Sequence, residues 1–251
     1  MVDETADQRW ERLSQNRVDR RLPKRFYKDV EIGPDCSILL DGRAVKTPLK
    51  SKLVLPTQAL AAAVADEWRA QVQVINPALM PLTKLANTAI DRVGVERAHI
   101  AGEVVAFAGN DLVCYRAEKP AALVAFQCKA WDPILQWVKS ELDVQFTVTP
   151  GVIHKQQSVM ALGAVAQHVA GIDAFALTAV HNAMTLTGSA LLSLMLLAGK
   201  ISAADAWVAA HVDEDFQISE WGEDFEAIAR RTFRKTEFEA TIRFLGLIDR
   251  I

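Results

Sequence analysis

From Thr83 to Leu247 the sequence passes through eight stretches with apolar residues at three- and four-residue steps. They are Thr83–Val93, Glu96–Gly109, Ala121–Leu142, Lys155–Ala170, Ala174–Leu186, Ser189–Ala198, Ala203–Glu220 and Glu223–Leu247, and one intervening segment, Val144–Pro150 (VQFTVTP), alternates like a strand. A chain patterned in this way must bury helix against helix over most of its length. In Ala121–Leu142 the residues Leu123, Phe126, Ala130, Ile134 and Trp137 form one apolar stripe, and Pro133 inside it predicts a kink. The span from Val159 to Ala198 is apolar on most faces, which predicts helices at the centre of a bundle.

The part before this has a different texture. Asp41-Gly42 between the short runs Ser37–Leu40 and Arg43–Thr47 is the strongest local signal for a two-residue hairpin. Thr57 then stands as N-cap before QALAAAVADEWRAQ, a run of good helix formers that would cover the apolar face of the sheet. Two prolines in Val74–Leu82 mark a connection. The expected fold is therefore α+β: a small mixed α/β N-terminal domain with a β-hairpin over residues 1–78, and a larger all-helical domain over 79–251. Within the first, residues 1–25 read as a flexible basic arm.

With 51% hydrophobic residues in 251, the chain can bury its core without disulfides or metals. Its three cysteines, Cys36, Cys114 and Cys128, are scattered and lack C-x-x-C spacing, which fits a reducing compartment. Twenty-eight Lys and Arg against 31 Asp and Glu give a net charge of −3, which argues against a protein built to hold nucleic acid. The basic residues Arg17, Arg20, Arg21, Lys24 and Arg25 could touch phosphate, but a solvated arm explains them more simply. Asp3, Glu4 and Asp7 precede no apolar run, so neither a secretory signal nor an acid-poor transit peptide is expected. The most apolar run, ALLSLMLLA at Ala190–Ala198, is far shorter than the ~20 residues that span a bilayer and reads as a buried helix.

Motifs for phosphate cradling, nucleophile-elbow hydrolysis and zincin chemistry are missing from the sequence. Leu186-Thr187-Gly188-Ser189 could present hydroxyls, but a serine N-cap after glycine accounts for it. The five histidines are His99, His154, His168, His181 and His211. His211 and Glu214 share a helical face at a spacing that could ligate a metal, and a metal-dependent hydrolase would need His168 or His181 to converge on them.

The most unusual segment is Asp213–Ala227, DEDFQISEWGEDFEA, with seven carboxylates among the fourteen residues Asp213–Glu226 interleaved with Phe216, Trp221 and Phe225. Trp207, His211, Glu214, Ile218 and Trp221 step by four, three, four and three, which places Glu214 on an otherwise largely apolar stripe. A carboxylate there is either buried with a partner, such as Arg230 or Arg231, or offered to another protein. Aromatics beside carboxylates suit a protein interface.

Several motifs, taken in order, carry a resemblance: RFYKDVEI, LLDGRAVKTP, LVLPTQALAAAVADEWRAQ, INPALMPLTKLANTAIDRV, DLVCYRAE, QCKAWDPILQW and DEDFQISEWGEDFEA, which together cover most of Arg25–Ala227. This series resembles the ATP synthase assembly chaperones that escort the α subunit of the soluble catalytic head. The resemblance implies a mixed N-terminal domain and a helical C-terminal one. It implies a chaperone, not an enzyme, that needs no cofactor or metal, acts as a monomer, binds the unassembled α subunit and releases it to the β subunit. It also implies a bacterial cytoplasm, or a mitochondrial matrix for a eukaryotic source. The family's functionally important acid matches Asp213 and Glu214, and Phe216, Gln217, Glu220 and Trp221 complete the expected partner-binding segment. Trp68 in DEWRAQ, Asp41-Gly42 in the hairpin and Asp132-Pro133 in the AWDP run are expected to be structural, with loss of the Trp68 ring costing ~3–5 kcal/mol. Lys50-Ser51-Lys52 and the sequence after Glu226 match poorly, so no function is carried over to the last helix.

Overall fold

The computed structural model describes residues 22–151, 153–222 and 224–248. The fold is α+β, with a small N-terminal sheet followed by a predominantly helical region. The sheet is antiparallel, in the order β1 (Val30–Ile32), β2 (Ile38–Leu40) and β3 (Arg43–Ala44). Asp41 and Gly42 both take positive φ, 48° and 74°, as the expected hairpin turn requires. The Asp41 carboxylate also accepts the amides of Lys28 and Asp29 at 3.0 and 2.9 Å, tying the chain before β1 to the turn. Helix α1 (Gln58–Arg69) starts where expected, with the Thr57 hydroxyl accepting Leu60 N–H, and packs on β1 and β2.

Of the residues expected to form a flexible arm, 1–21 lie outside the described residues. The end of that stretch is fixed. Ile75 N–H donates to Pro23 O and Arg25 N–H to Gln73 O, both at 2.9 Å, and the Arg25 guanidinium donates to the carbonyls of Gln71, Tyr27 and Lys28. The basic side chain that looked available to a polyanion is thus occupied with the chain's own backbone.

The helical region begins with α2 (Pro81–Thr88), which continues as a π-helical turn over Ala89–Val93, and α3 (Arg97–Ala108). Then come α4 (Ala121–Leu142), α5 (Val159–Ala170), α6 (Ala174–Thr187), α7 (Ala190–Leu197), α8 (Ala203–Ala210), α9 (Val212–Trp221) and α10 (Phe225–Leu247). Helix α6 is the hub, touching α2, α3, α7, α8 and α10, and α7 is buried on almost every face, as its composition requires. Helix α5 departs from the expectation. Only Ala161, Val165 and Val169 are buried, while Val159 and Met160 face outward. It also starts four residues late, at the Ser158 cap. The strand-like Val144–Pro150 is mostly irregular, and only β5 (Thr149–Pro150) pairs, in parallel with β4 (Tyr115–Arg116). Pro133 lies within α4, which runs through it.

One connected set of buried apolar side chains runs from Tyr27 to Ile248, so the sheet layer and the helices share a core. Glu67 on α1 fastens the two. Its carboxylate accepts the Leu82 and Thr83 amides at 2.8 Å and the Thr83 hydroxyl at 2.7 Å, satisfying donors at the start of α2 that no helix can satisfy internally.

Candidate partner-binding site

The expected single helix Ala203–Glu220 is two helices. His211 adopts φ −121°, ψ 19°, which ends α8 and starts α9. Its ring, 4% exposed, lies 3.9 Å from the Trp207 indole, and its Nδ1 is 2.8 Å from the Trp207 carbonyl. Trp207 in turn packs on Phe238. The break falls where the two rings lie side by side in the core, and the four-and-three spacing continues across it because each half is helical.

In the first turn of α9, Asp213, Glu214 and Asp215 sit at the positive end of the helix dipole, where carboxylates are favoured. The three point to different neighbours. Asp213 accepts a 2.7 Å hydrogen bond from the amide of Gln127 on α4, whose own oxygen accepts Ala117 N–H at 2.7 Å. Asp215 forms an ion pair at 2.5 Å with Arg231 of α10. Among the described residues Glu214 has no partner closer than the His211 Nε2 at 4.0 Å, and its side chain is 55% exposed. Burial lowers the pKa of His211 against the opposing effects of its hydrogen bond to Trp207 and of Glu214, so the ring is neutral near pH 7. Glu214 is therefore not buried with an internal cation such as Arg230 or Arg231.

Phe216 is half-buried against Phe126 of α4, with ring centroids 6.2 Å apart. Gln217, Glu220 and Trp221 are exposed, Trp221 at 81%. Gly222 then adopts φ 83°, ψ 178°, a conformation open essentially to glycine alone, and Asp224 caps α10. The turn folds α10 back beside α9 and leaves a cleft of about 570 Å³ between them. Glu214, Gln217, Ile218 and Trp221 line it from α9, Ala227, Ile228, Arg230, Arg231 and Arg234 from α10, and His211 closes its base. The last helix, to which sequence reasoning assigned no function, supplies half of this surface. Nothing local in its sequence reports that, because the cleft exists only once Gly222 has turned the chain.

The residues expected to be structural lie elsewhere. Trp68 is half-buried and meets Tyr27 edge-on at 5.8 Å, and the Tyr27 hydroxyl donates to the Trp68 carbonyl at 2.7 Å. Asp132 pairs with the buried Arg116 at 2.9 Å, and the Arg116 guanidinium lies over the Trp131 ring. The histidines do not converge as a hydrolase would require: His181 is 2.9 Å from Glu103 on α3. Among the described residues no group of three or more His, Cys, Asp or Glu is arranged to hold a metal, and no helix is long and apolar enough to cross a membrane.

An exposed aromatic and acidic cleft on a helical body is the kind of surface by which proteins bind other proteins. The comparisons with known proteins name the class more closely. Residues 24–139 match the family model "ATP12 chaperone protein". The crystal structure of Atp12 from Paracoccus denitrificans is 39% identical, with a TM-score of 0.84 over 90% of this chain and 98% of that one. An aspartate-to-lysine mutant of the same P. denitrificans protein gives 40% identity and a TM-score of 0.85 over 89% of this chain and 97% of that one. The mitochondrial protein ATP12 of Saccharomyces cerevisiae is 23% identical over 96% of this chain and 84% of its own length. The chain belongs to the ATP12 chaperone family.

Proposed function

We propose that this chain is an assembly chaperone of F-type ATP synthase that captures the unassembled α subunit of the catalytic head. It keeps the subunit interface of α from aggregating and yields α to the β subunit, whose larger native interface drives the exchange. The work is binding and release, with no reaction catalysed and no cofactor. The protein acts as a monomer in the bacterial cytoplasm, or in the mitochondrial matrix of a eukaryotic source, with the region after residue 78 as the client-binding domain.

The observation that carries this reading is the cleft beside α9, in a chain of the ATP12 chaperone family. Trp221 stands in solvent at its rim, and Glu214 faces it with no close partner among the described residues. Exposed aromatics of this kind are interface anchors, and a carboxylate beside them selects among partners. Light scattering tests the function. Isolated α subunit diluted from denaturant should aggregate alone and stay soluble with an equimolar amount of the chain. Aggregation undiminished by the chain contradicts the reading.

A further inference from the structure

The α9–α10 cleft has two unlike walls. On α9 stands Glu214, whose nearest basic group among the described residues is a neutral, buried histidine. On α10 stand Arg230, Arg231 and Arg234, which share one face at three- and four-residue spacing. Arg231 is neutralised by Asp215 at 2.5 Å. Arg234 donates to the Leu186 carbonyl, which leaves its charge uncompensated by that bond. Arg230 is 67% exposed and lies 3.6 Å from Glu226, which is more exposed still at 84%. Between the walls lie Ile218, Ala227 and Ile228, with Trp221 at the rim.

Both walls are helices, whose backbone donors and acceptors are internally paired, so no strand edge is open to an added β-strand. The two helices stand apart, bridged by the Asp215–Arg231 ion pair, and Ile218, Ala227 and Ile228 line the space between them, so that an inserted helix would meet an apolar floor and two charged flanks. Among the described residues nothing buries the first half of α10, whose buried residues begin only at Phe238.

We propose that the cleft takes an amphipathic helix of the client, seated with its apolar stripe on Ile218, Ala227 and Ile228, a carboxylate against Arg230 and Arg234, and a basic side chain against Glu214. The last helix is then half of the binding site, and the two unlike walls fix the direction in which the client helix lies. This rests on the function proposed above.

The test measures binding of isolated α subunit to the full chain and four variants, with thermal unfolding as a control for folding. Arg230→Glu, which inverts one wall at an exposed position, and Ala227→Trp, which fills the seam without changing charge, should each weaken binding about tenfold or more. Arg230→Lys should retain it. Lys235→Glu, a charge reversal on α10 outside the cleft lining, should change it less than about twofold. Wild-type affinity in both Arg230→Glu and Ala227→Trp, with wild-type chain binding α, overturns the inference and leaves the proposed function standing. Failure of the wild-type chain itself to bind α overturns both.

Discussion

The amide of Gln127 donates a 2.7 Å hydrogen bond to the carboxylate of Asp213, while the next residue, Glu214, turns to the cleft. Two adjacent acids therefore face different surroundings. Gln127 is only 3% exposed, so its amide has no water to fall back on. Asp213→Ala should cost ~1–3 kcal/mol of stability by leaving that donor unpaired. The loss should register as a lower midpoint in urea unfolding.

Glu214→Lys should behave in the opposite way. The side chain is exposed, so the substitution should move stability by no more than ~0.5 kcal/mol. Capture of α should nonetheless fall, because the wall that selects a basic client group has changed sign. Equal stability with undiminished suppression of α aggregation would remove Glu214 from the site.

Glu67 predicts a purely structural phenotype. Its two oxygens accept three hydrogen bonds at the start of α2, and burial raises its pKa against those bonds. Glu67→Gln replaces one acceptor by an amide that faces backbone N–H groups. The expected loss is ~1–3 kcal/mol in urea unfolding. A variant as stable as the wild type would show that this carboxylate does not fasten α1 to α2.

Asp111 predicts a pH dependence. It is buried with no ion-pair partner among the described residues, accepting Leu191 N–H at 2.9 Å and Val113 N–H at 3.2 Å, and burial raises its pKa from 3.8 to about 6 despite the bonds from Ser189, Leu191, Val113 and Ala190. The folded state therefore holds a proton that the unfolded state has released between these two values. The contribution to stability is complete below about pH 4 and lost as pH rises through about 6, on the order of 3 kcal/mol. Glu67 acts in the same direction. His211, with its pKa lowered, acts oppositely, removing stability as the pH falls below its unfolded value of 6.5. Unfolding free energies at pH 4.5 and 7 for wild type and Asp111→Asn should differ, the variant lacking the Asp111 part of the slope. Identical slopes would contradict the assignment.

What could be read from the sequence was local. The Asp41-Gly42 turn and the Thr57 cap are decided by residues within four positions of one another, and both are where the sequence puts them. The break at His211 escaped because the stripe Trp207–His211–Glu214–Ile218 keeps helical spacing across it. Asp111 gave no signal, since its partners on α7 are some 80 residues away. Glu67 could have been found. It lies three residues from Val64 and seven from Leu60 on the buried face of α1, and the reasoning applied to Glu214 would have demanded a partner for it. The acidic half of the cleft was legible in DEDFQISEW, whereas the α10 half depends on a turn at Gly222 and on packing that no local pattern encodes.

The most direct measurement is affinity purification of the tagged chain from cells that make the ATP synthase α subunit without β. The account predicts that α is retained with the chain in stoichiometric amount and is released when β is added. Recovery of the chain free of α, from cells in which soluble α is present, would contradict it.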